Sequence, residues 1–506
     1  MPSASDHGHS PLSPPGGSRG RRHPRLARLL RLFVEIHPDE VTSALLLAAN
    51  GFVLLLCYYI LKTIREPLIL QGGSTALSGS ELKAYATAAQ ALLLIGLVPL
   101  YGYLAGRVHR ARLIRGTIGF LLGSLVIFYF LGRAGLPVGI AYYLWLGIAG
   151  LMVIAQFWSF ANDYFSHQQG ERLFPFIAVG GTLGAIAGSA LAGWLLDGLG
   201  LFPLLLIAAA GLFVYAGIYF ALEWFHPPGQ EGRARRPVRG RGGFELVLTN
   251  RYLLLIGAMV LVANLVNTHG EYILATAVNQ HAENLVPSPA PDQPPPENLL
   301  QERRALVGEV YAGFYATVNA LALLIQVFVV SRLFKYLGVQ RALFVFPVLA
   351  AGAYAAIFAW PVFALIRAAK VAENSVDYSL NNTVRHALFL PTGRDAKYKA
   401  KAAIDTLFQR GGDLLAGGTV FVGLHVLAFS LRHFALVNLL LISGWLGMVV
   451  YLSRRYRQLE RGRRHGPRHS LRGRGWRQRR VGRCAYRPSA SVPSPRRAPA
   501  NVWANK

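Results

Sequence analysis

The chain has 506 residues, 53% of them hydrophobic, and a formal net charge of +28. Its apolar residues come in repeated runs of about twenty, the length that crosses a bilayer core, which excludes an ordinary soluble domain with alternating apolar and polar positions. Two cysteines, Cys57 and Cys484, offer neither a disulfide framework nor metal-ligand spacing, and no cofactor is expected.

Residues 1–42 form a polar N-terminal segment with no short apolar core ahead of a small-residue cleavage site, so the first span is expected to act as its own insertion signal. Hydropathy then predicts an all-α polytopic membrane protein of about twelve transmembrane helices, near 43–70, 83–105, 113–132, 137–162, 174–196, 201–224, 251–277, 306–331, 339–360, 361–381, 402–430 and 433–453. With the N-terminus cytoplasmic, the strongly basic loops fall on one side: Arg107 to Arg115, Arg233 to Arg241, Arg332 to Arg341, and the C-terminal tail. The positive-inside rule therefore puts both termini in the cytoplasm. The basic stretch 226–250 divides the spans into two six-helix halves, 43–225 and 251–453, and faint echoes link them. "WSFANDYFSHQQGERLFP" closes the fourth span and "AENSVDYSLNNTVRHALFLP" the tenth, each with an Asp-Tyr pair and an Asn before a Gly-rich span. Two parallel six-span repeats with a solute site between them is a transporter architecture.

Residues 454–506 hold 17 Lys/Arg against one acid, so much of the net charge lies in a tail that reads as disordered. Such a tail suits anionic lipid head groups, and no specific nucleic-acid partner is expected.

Charges inside the spans are the candidate functional residues, because a charge at the bilayer centre costs at least about 2.5–3.5 kcal/mol and usually faces water or a partner. In "YYILKTIREPLIL", Lys62, Arg65 and Glu66 stand at i, i+3 and i+4 on one helix face, either lining a path or snorkelling to head groups. Asn162 and Asp163 close the fourth span. In the fifth, Gly180, Gly184 and Gly188 give small-xxx-small spacing, read as a close helix contact rather than a ligand site. Glu271 follows Asn264 and Asn267 in the seventh span. The tenth spaces Arg367, Lys370, Glu373, Asp377, Asn381 and Arg385 at steps of 3, 3, 4, 4 and 4, one polar stripe down a helix. The eleventh opens with Lys397, Lys399 and Lys401, then Asp405, Arg410 and Asp413 beside Gly411 and Gly412. No Ser elbow, His/Cys metal pattern or phosphate-binding Gly-rich loop competes, so neither an enzyme nor an ATP-driven pump is expected.

Three stretches, "LKTIREPLIL", "FWSFANDYFSHQQGERLFPFIAVGGTLGA" and "KYKAKAAIDTLFQRGGD", resemble the ATP/ADP translocase family of plastids and intracellular bacteria, over roughly residues 45–450. That family is similar to the major facilitator fold. The resemblance implies nucleotide exchange with basic residues on the phosphates, the pair in the first span matching Arg65-Glu66 and the Lys-rich opening of the eleventh matching Lys397, Lys399, Lys401 and Asp405. Two departures stand out: the fourth span carries no acid before Asp163, and Asn267 occupies the place of an acid in the seventh, with Glu271 one turn later. The expectation is a secondary exchanger in a bacterial cytoplasmic membrane for an anionic, phosphorylated solute, nucleotides such as ATP and ADP leading. A proton-coupled carrier of another small solute and a non-transporting, lipid-interacting scaffold are the alternatives.

Overall fold

A computed structural model describes residues 36–464, except 39, 74–76, 106, 109, 226–242, 289–295 and 393–398. Lys397, the linker arginines and almost all of the basic tail lie outside the described residues. Six long helices come first: α1 (Val41–Leu70), α2 (Gly79–Ala105), α3 (Arg110–Arg133), α4 (Gly139–Tyr164), α5 (His167–Leu199) and α6 (Pro203–Phe225). A short α7 (Gly243–Thr249) precedes α8 (Arg251–Leu285), α9 (Glu297–Leu324) and α10 (Ser331–Ala359). The chain continues as α11 (Phe363–Val376), a π-helical turn (Asp377–Asn381), α12 (Asn382–Ala387), α13 (Lys401–Ala403), a second π turn (Ile404–Phe408), α14 (Gln409–His425) and α15 (Leu431–Arg464).

Local chemistry sets several of these boundaries. A capping box starts α5, the Ser166 hydroxyl accepting from the Gln169 amide while the Gln169 side chain accepts from the Ser166 amide. Gly200, at φ 74°, ends the same helix in a conformation that disfavours other residues. The Asn250 side chain accepts from the Tyr252 and Leu253 amides and caps α8. Between α10 and α11, Pro361 lacks an amide donor and the helix breaks there.

Among the described residues, nine helical stretches are long and apolar enough to cross a membrane. The twelve expected spans differ from this set in the second part of the chain. The eighth and ninth fall within one stretch, Glu297–Ala359, although the backbone turns non-helical inside it at Gly338 (φ 71°). The tenth and eleventh are helical, but their charged residues and π turns take them out of the uniformly apolar class.

Burial forms two apolar clusters. One uses only residues from Ile36 to Leu222; the other is built mainly from residues after Val247, joined by a few such as Tyr59, Ala84 and Tyr143. Within the first group, α5 packs closely along α1. A Cβ at Gly180 would lie 2.7 Å from the Ala48 carbonyl oxygen, and Cβ atoms at Gly184 and Gly188 would collide with the carbonyls of Phe52 and Leu56. The spacing thus acts as a helix contact, as small-residue ladders do where no hydrophobic force drives association. Gly184→Ala is expected to destabilise the purified protein by at least ~1–3 kcal/mol, because backbone cannot move aside as a side chain can. Gly198→Ala on the same helix, with open space around it, is the control and should be neutral or slightly stabilising. Apparent Tm in detergent reads both.

Candidate functional site: a charged cavity between two helix groups

A cavity of about 360 Å³ lies between the helices before residue 226 and those after residue 250. Its wall draws Tyr58, Lys62 and Arg65 from α1, Lys83, Thr87 and Gln90 from α2, and Tyr143 and Leu151 from α4. From the second group come Asn267 and Glu271 on α8, Tyr315 on α9, Asn374 at the end of α11, Tyr378 in the π turn that follows it, and Arg410 and Asp413 on α14. The π turn at Asp377–Asn381 presents Tyr378 to the cavity and the one at Ile404–Phe408 immediately precedes Arg410; such turns often mark functional positions in helices.

The charges form a chain of pairs across the cavity. Arg65 is paired with its neighbour Glu66, and the Lys83 ammonium stands 2.8 Å from the other Glu66 oxygen. Lys83 also reaches 3.6 Å to Glu271 on α8, which stands 3.7 Å from Lys370 on α11. Lys370 donates to Glu373 at 2.9 Å and to the Asn267 side-chain oxygen at 3.0 Å. The Tyr354 hydroxyl donates to Glu373 at 3.0 Å, Tyr315 to Glu66 at 2.8 Å, and the Asn374 amide to Glu271 at 3.1 Å. A second cluster centres on Asp413, which accepts from Arg410 (3.1 Å), Asn264 (2.7 Å) and Thr268 (2.8 Å). Glu66, Lys370 and Glu373 are buried, and each is held by partners of opposite charge, as the cost of burying a lone ion requires.

Lys62 breaks this pattern. Its ammonium lies 4.2 Å from the Tyr315 ring centroid and 5.1 Å from that of Tyr59, and among the described residues no carboxylate pairs with it. Arg65 stacks likewise 4.4 Å from the centre of Tyr143 while keeping its carboxylate. Aromatic faces stabilise a cation by about 0.5–2 kcal/mol without neutralising it. Among the described residues, the ion pairs at the cavity join four cations, Arg65, Lys83, Lys370 and Arg410, to the four carboxylates Glu66, Glu271, Glu373 and Asp413, with Lys62 outside these pairs. That unpaired ammonium is on the wall.

Most of the polar links described between the two groups fall at one end of the bundle. Besides Lys83–Glu271 they include Gln71 donating to Asn279 at 2.6 Å, Tyr59 donating to Asn319 at 3.1 Å, and His425 within 3.4 Å of Glu81 and 3.1 Å of the Tyr85 hydroxyl. Gln71 directly follows α1, Glu81, Lys83 and Tyr85 lie in the first turns of α2, Glu271 and Asn279 in the later part of α8 and His425 at the end of α14, whereas Tyr59 and Asn319 meet further along α1 and α9.

The structure distributes the expected site residues unevenly. Lys62, Arg65, Glu271 and Arg410 line the cavity, and Glu66, Lys370 and Glu373 stand directly behind its wall. Asp377 accepts from Asn381 at 2.6 Å, and Arg385 pairs with Asp405 at 2.9 Å, one to three turns further along. Lys399 and Lys401 are half-buried near that end and are not among the lining residues. Asn162 and Asp163 are exposed at the end of α4, where the Asn162 amide donates back to the Trp158 carbonyl. Arg367 sits apart, in a pocket between α8, α9 and α11. Sequence reasoning missed Lys83, which occupies the position linking the groups. Its signal is a lysine within two turns of the start of a span, inside the helix rather than before it. Among the described residues, no group of three His, Cys, Asp or Glu is placed to hold a metal ion.

Membrane-length helices in two packed groups around a charged cavity define a multi-pass membrane transporter. The chain belongs to the Major Facilitator Superfamily, whose sequence model matches residues 42–372. Within that fold it is a divergent relative of ADP,ATP carrier protein 2 of Chlamydia trachomatis, 22% identical over 510 residues that cover 84% of this chain and 90% of that protein. Among solved structures it is similar to the nucleoside transporter NupG, with a TM-score of 0.54 at 15% identity over 82% of this chain and 99% of that one. An auto-inhibited peptide transporter of the POT family gives a TM-score of 0.56 at 14% identity, covering 82% and 97%. At these identities the structural likeness speaks for the fold alone.

Proposed function

We propose that the protein is a secondary exchanger of an anionic, phosphorylated solute, with nucleotides such as ATP and ADP the leading candidates. The observation that carries this reading is the Lys62 ammonium on the cavity wall, which no described carboxylate pairs with, beside three more cations whose carboxylates a phosphate could displace. Phosphate oxygens accept charge-assisted hydrogen bonds from Arg and Lys, and Arg65 can offer two parallel donors. Aromatic side chains at Tyr58, Tyr143 and Tyr378 supply flat surfaces for a base or other planar group. The match to an ADP,ATP carrier over most of both chains supports the same solute class.

In this reading twelve spans form two six-helix halves, 43–225 and 251–453, joined by the basic stretch 226–250. Both termini are cytoplasmic and the membrane is the bacterial inner membrane. Alternating access opens the linked end of the bundle, which breaks the Lys83–Glu271 bridge, and the bound anion draws Lys83 toward itself and away from Glu271. Uptake of labelled ATP, ADP and smaller phosphates into liposomes, with and without internal counter-substrate, tests the reading. Stimulated uptake that depends on internal anion is the expected result; folded protein that moves no phosphorylated anion overturns it. A proton-coupled carrier is the second reading, favoured by Glu271, a partly exposed carboxylate on the cavity wall between two lysines. Uptake driven by a pH gradient alone, without internal anion, distinguishes it.

A further inference from the structure

We infer that the pocket holding Arg367 binds a bilayer phospholipid, with the guanidinium on the lipid phosphate and a primary ammonium headgroup on Glu309. The pocket, about 250 Å³, lies between α8, α9 and α11 and shares no lining residue with the central cavity. Arg367 is half-buried and, among the described residues, has no carboxylate partner, although it is always charged. A lone guanidinium in an apolar wall needs an anion or water to replace its lost hydration. No described residue hydrogen-bonds or ion-pairs with it here: Glu309 lines the same pocket without pairing with it, and most of the wall is apolar, with side chains such as Val278, Leu285, Val310 and Phe363.

The position along the helices selects a lipid over a soluble anion. Arg367 is the fifth residue of α11, about 6 Å from its start at 1.5 Å per residue. Leu285 ends α8, whose 35 residues exceed the roughly twenty that cross the hydrocarbon, so the pocket stands where hydrocarbon gives way to head groups. His281 and Phe363 stack face to face, with centroids 4.1 Å apart, and form a flat wall beside the cation. A soluble phosphate would gain nothing from this apolar lining, whereas an acyl chain would bury against it. Glu309 is an exposed lining residue without an ion-pair partner among the described residues. It would repel a purely anionic headgroup but match one that carries an ammonium beside its phosphate. An ethanolamine ammonium can donate hydrogen bonds to Glu309, and a choline quaternary ammonium cannot.

The test uses the full chain, purified in detergent and stripped of lipid, with binding read by native mass spectrometry and by the rise in apparent Tm. Phosphatidylethanolamine, phosphatidylcholine, phosphatidylglycerol and inorganic phosphate are added separately. Phosphatidylethanolamine is expected to bind best. Arg367→Gln should weaken it by roughly tenfold or more, the loss expected for a charge-assisted hydrogen bond. Glu309→Gln should keep the binding but erase the preference over phosphatidylcholine. If Arg367→Gln fails to fold, Arg367→Lys keeps the charge but not the planar fork, and should bind measurably more weakly. Equal binding of phosphatidylethanolamine by wild type and the Arg367 variant overturns the proposal. So does a full shift with inorganic phosphate, or a wild type that does not tell phosphatidylethanolamine from phosphatidylcholine.

Discussion

Glu66→Gln is expected to abolish transport and to lower stability by about 3–5 kcal/mol, the scale for removing one partner from a buried ion pair. The size follows from the number of groups that converge on this carboxylate. Arg65 and Lys83 both pair with it, Tyr315 donates to it at 2.8 Å, and it is fully buried. A neutral amide of the same shape leaves two cations facing each other with only Glu271 near enough to share. Tyr315 belongs to α9 and Lys83 bridges to α8, so the loss reaches across both helix groups. Thermal unfolding in detergent measures the stability term, and vesicle uptake measures the transport term. A variant with wild-type Tm would mean that Arg65 and Lys83 find another anion, contrary to the pairing seen here.

Lys62→Ala should give the opposite balance. The ammonium has no carboxylate among the described residues, so its removal leaves no orphaned acid and gives up only a cation–π attraction of about 0.5–1 kcal/mol. Stability should stay within about 1 kcal/mol of wild type. Affinity for the anion should fall by about tenfold to a hundredfold, because a charge-assisted hydrogen bond to phosphate is worth about 1.5–3 kcal/mol. Lys62→Arg should retain most of the binding. Equilibrium binding to purified protein, with Tm beside it, separates the two effects. A large stability loss with unchanged affinity would reassign Lys62 to packing. Glu66 and Lys62 lie four residues apart on one helical face, yet one is locked in ion pairs and the other lines the cavity outside any pair among the described residues.

That division could not be read from the sequence, although both residues could be singled out from it. A charge within an apolar run is conspicuous because lipid penalises it, and this exposed Lys62, Arg65, Glu66, Glu271 and the stripe from Arg367 to Arg385. Pairing is another matter. Lys83 gains its meaning from Glu66 and from Glu271, 188 residues later in the chain, and no local pattern announces that meeting. Arg367 shows a second limit. It shares a helical face with Asn374, but seven residues separate them, about 10 Å along the axis, and a face projection discards that coordinate. Asn374 reaches the cavity, while Arg367 lies in the neighbouring pocket. The glycine ladder on α5 was legible because its chemistry is local: three residues without side chains, one turn apart, admit a neighbouring backbone. The expected spans coincide with single apolar stretches except at 306–331 and 339–360, which share one stretch, and at 361–381 and 402–430, where charges and π turns interrupt the pattern.

Substrate protection of a cysteine placed on the cavity wall tests the central claim most directly. Leu151 lines the cavity and is partly exposed, and Cys57 is buried, so Leu151→Cys in a Cys484→Ala background offers a single accessible thiol among the described residues. A charged, water-soluble thiol reagent is expected to label it, and ATP, ADP or a smaller phosphorylated anion to slow that labelling in wild type but much less in Lys62→Ala. A thiol that the reagent never reaches, or labelling that no phosphorylated anion slows, would contradict a wet, cation-lined cavity built to receive one.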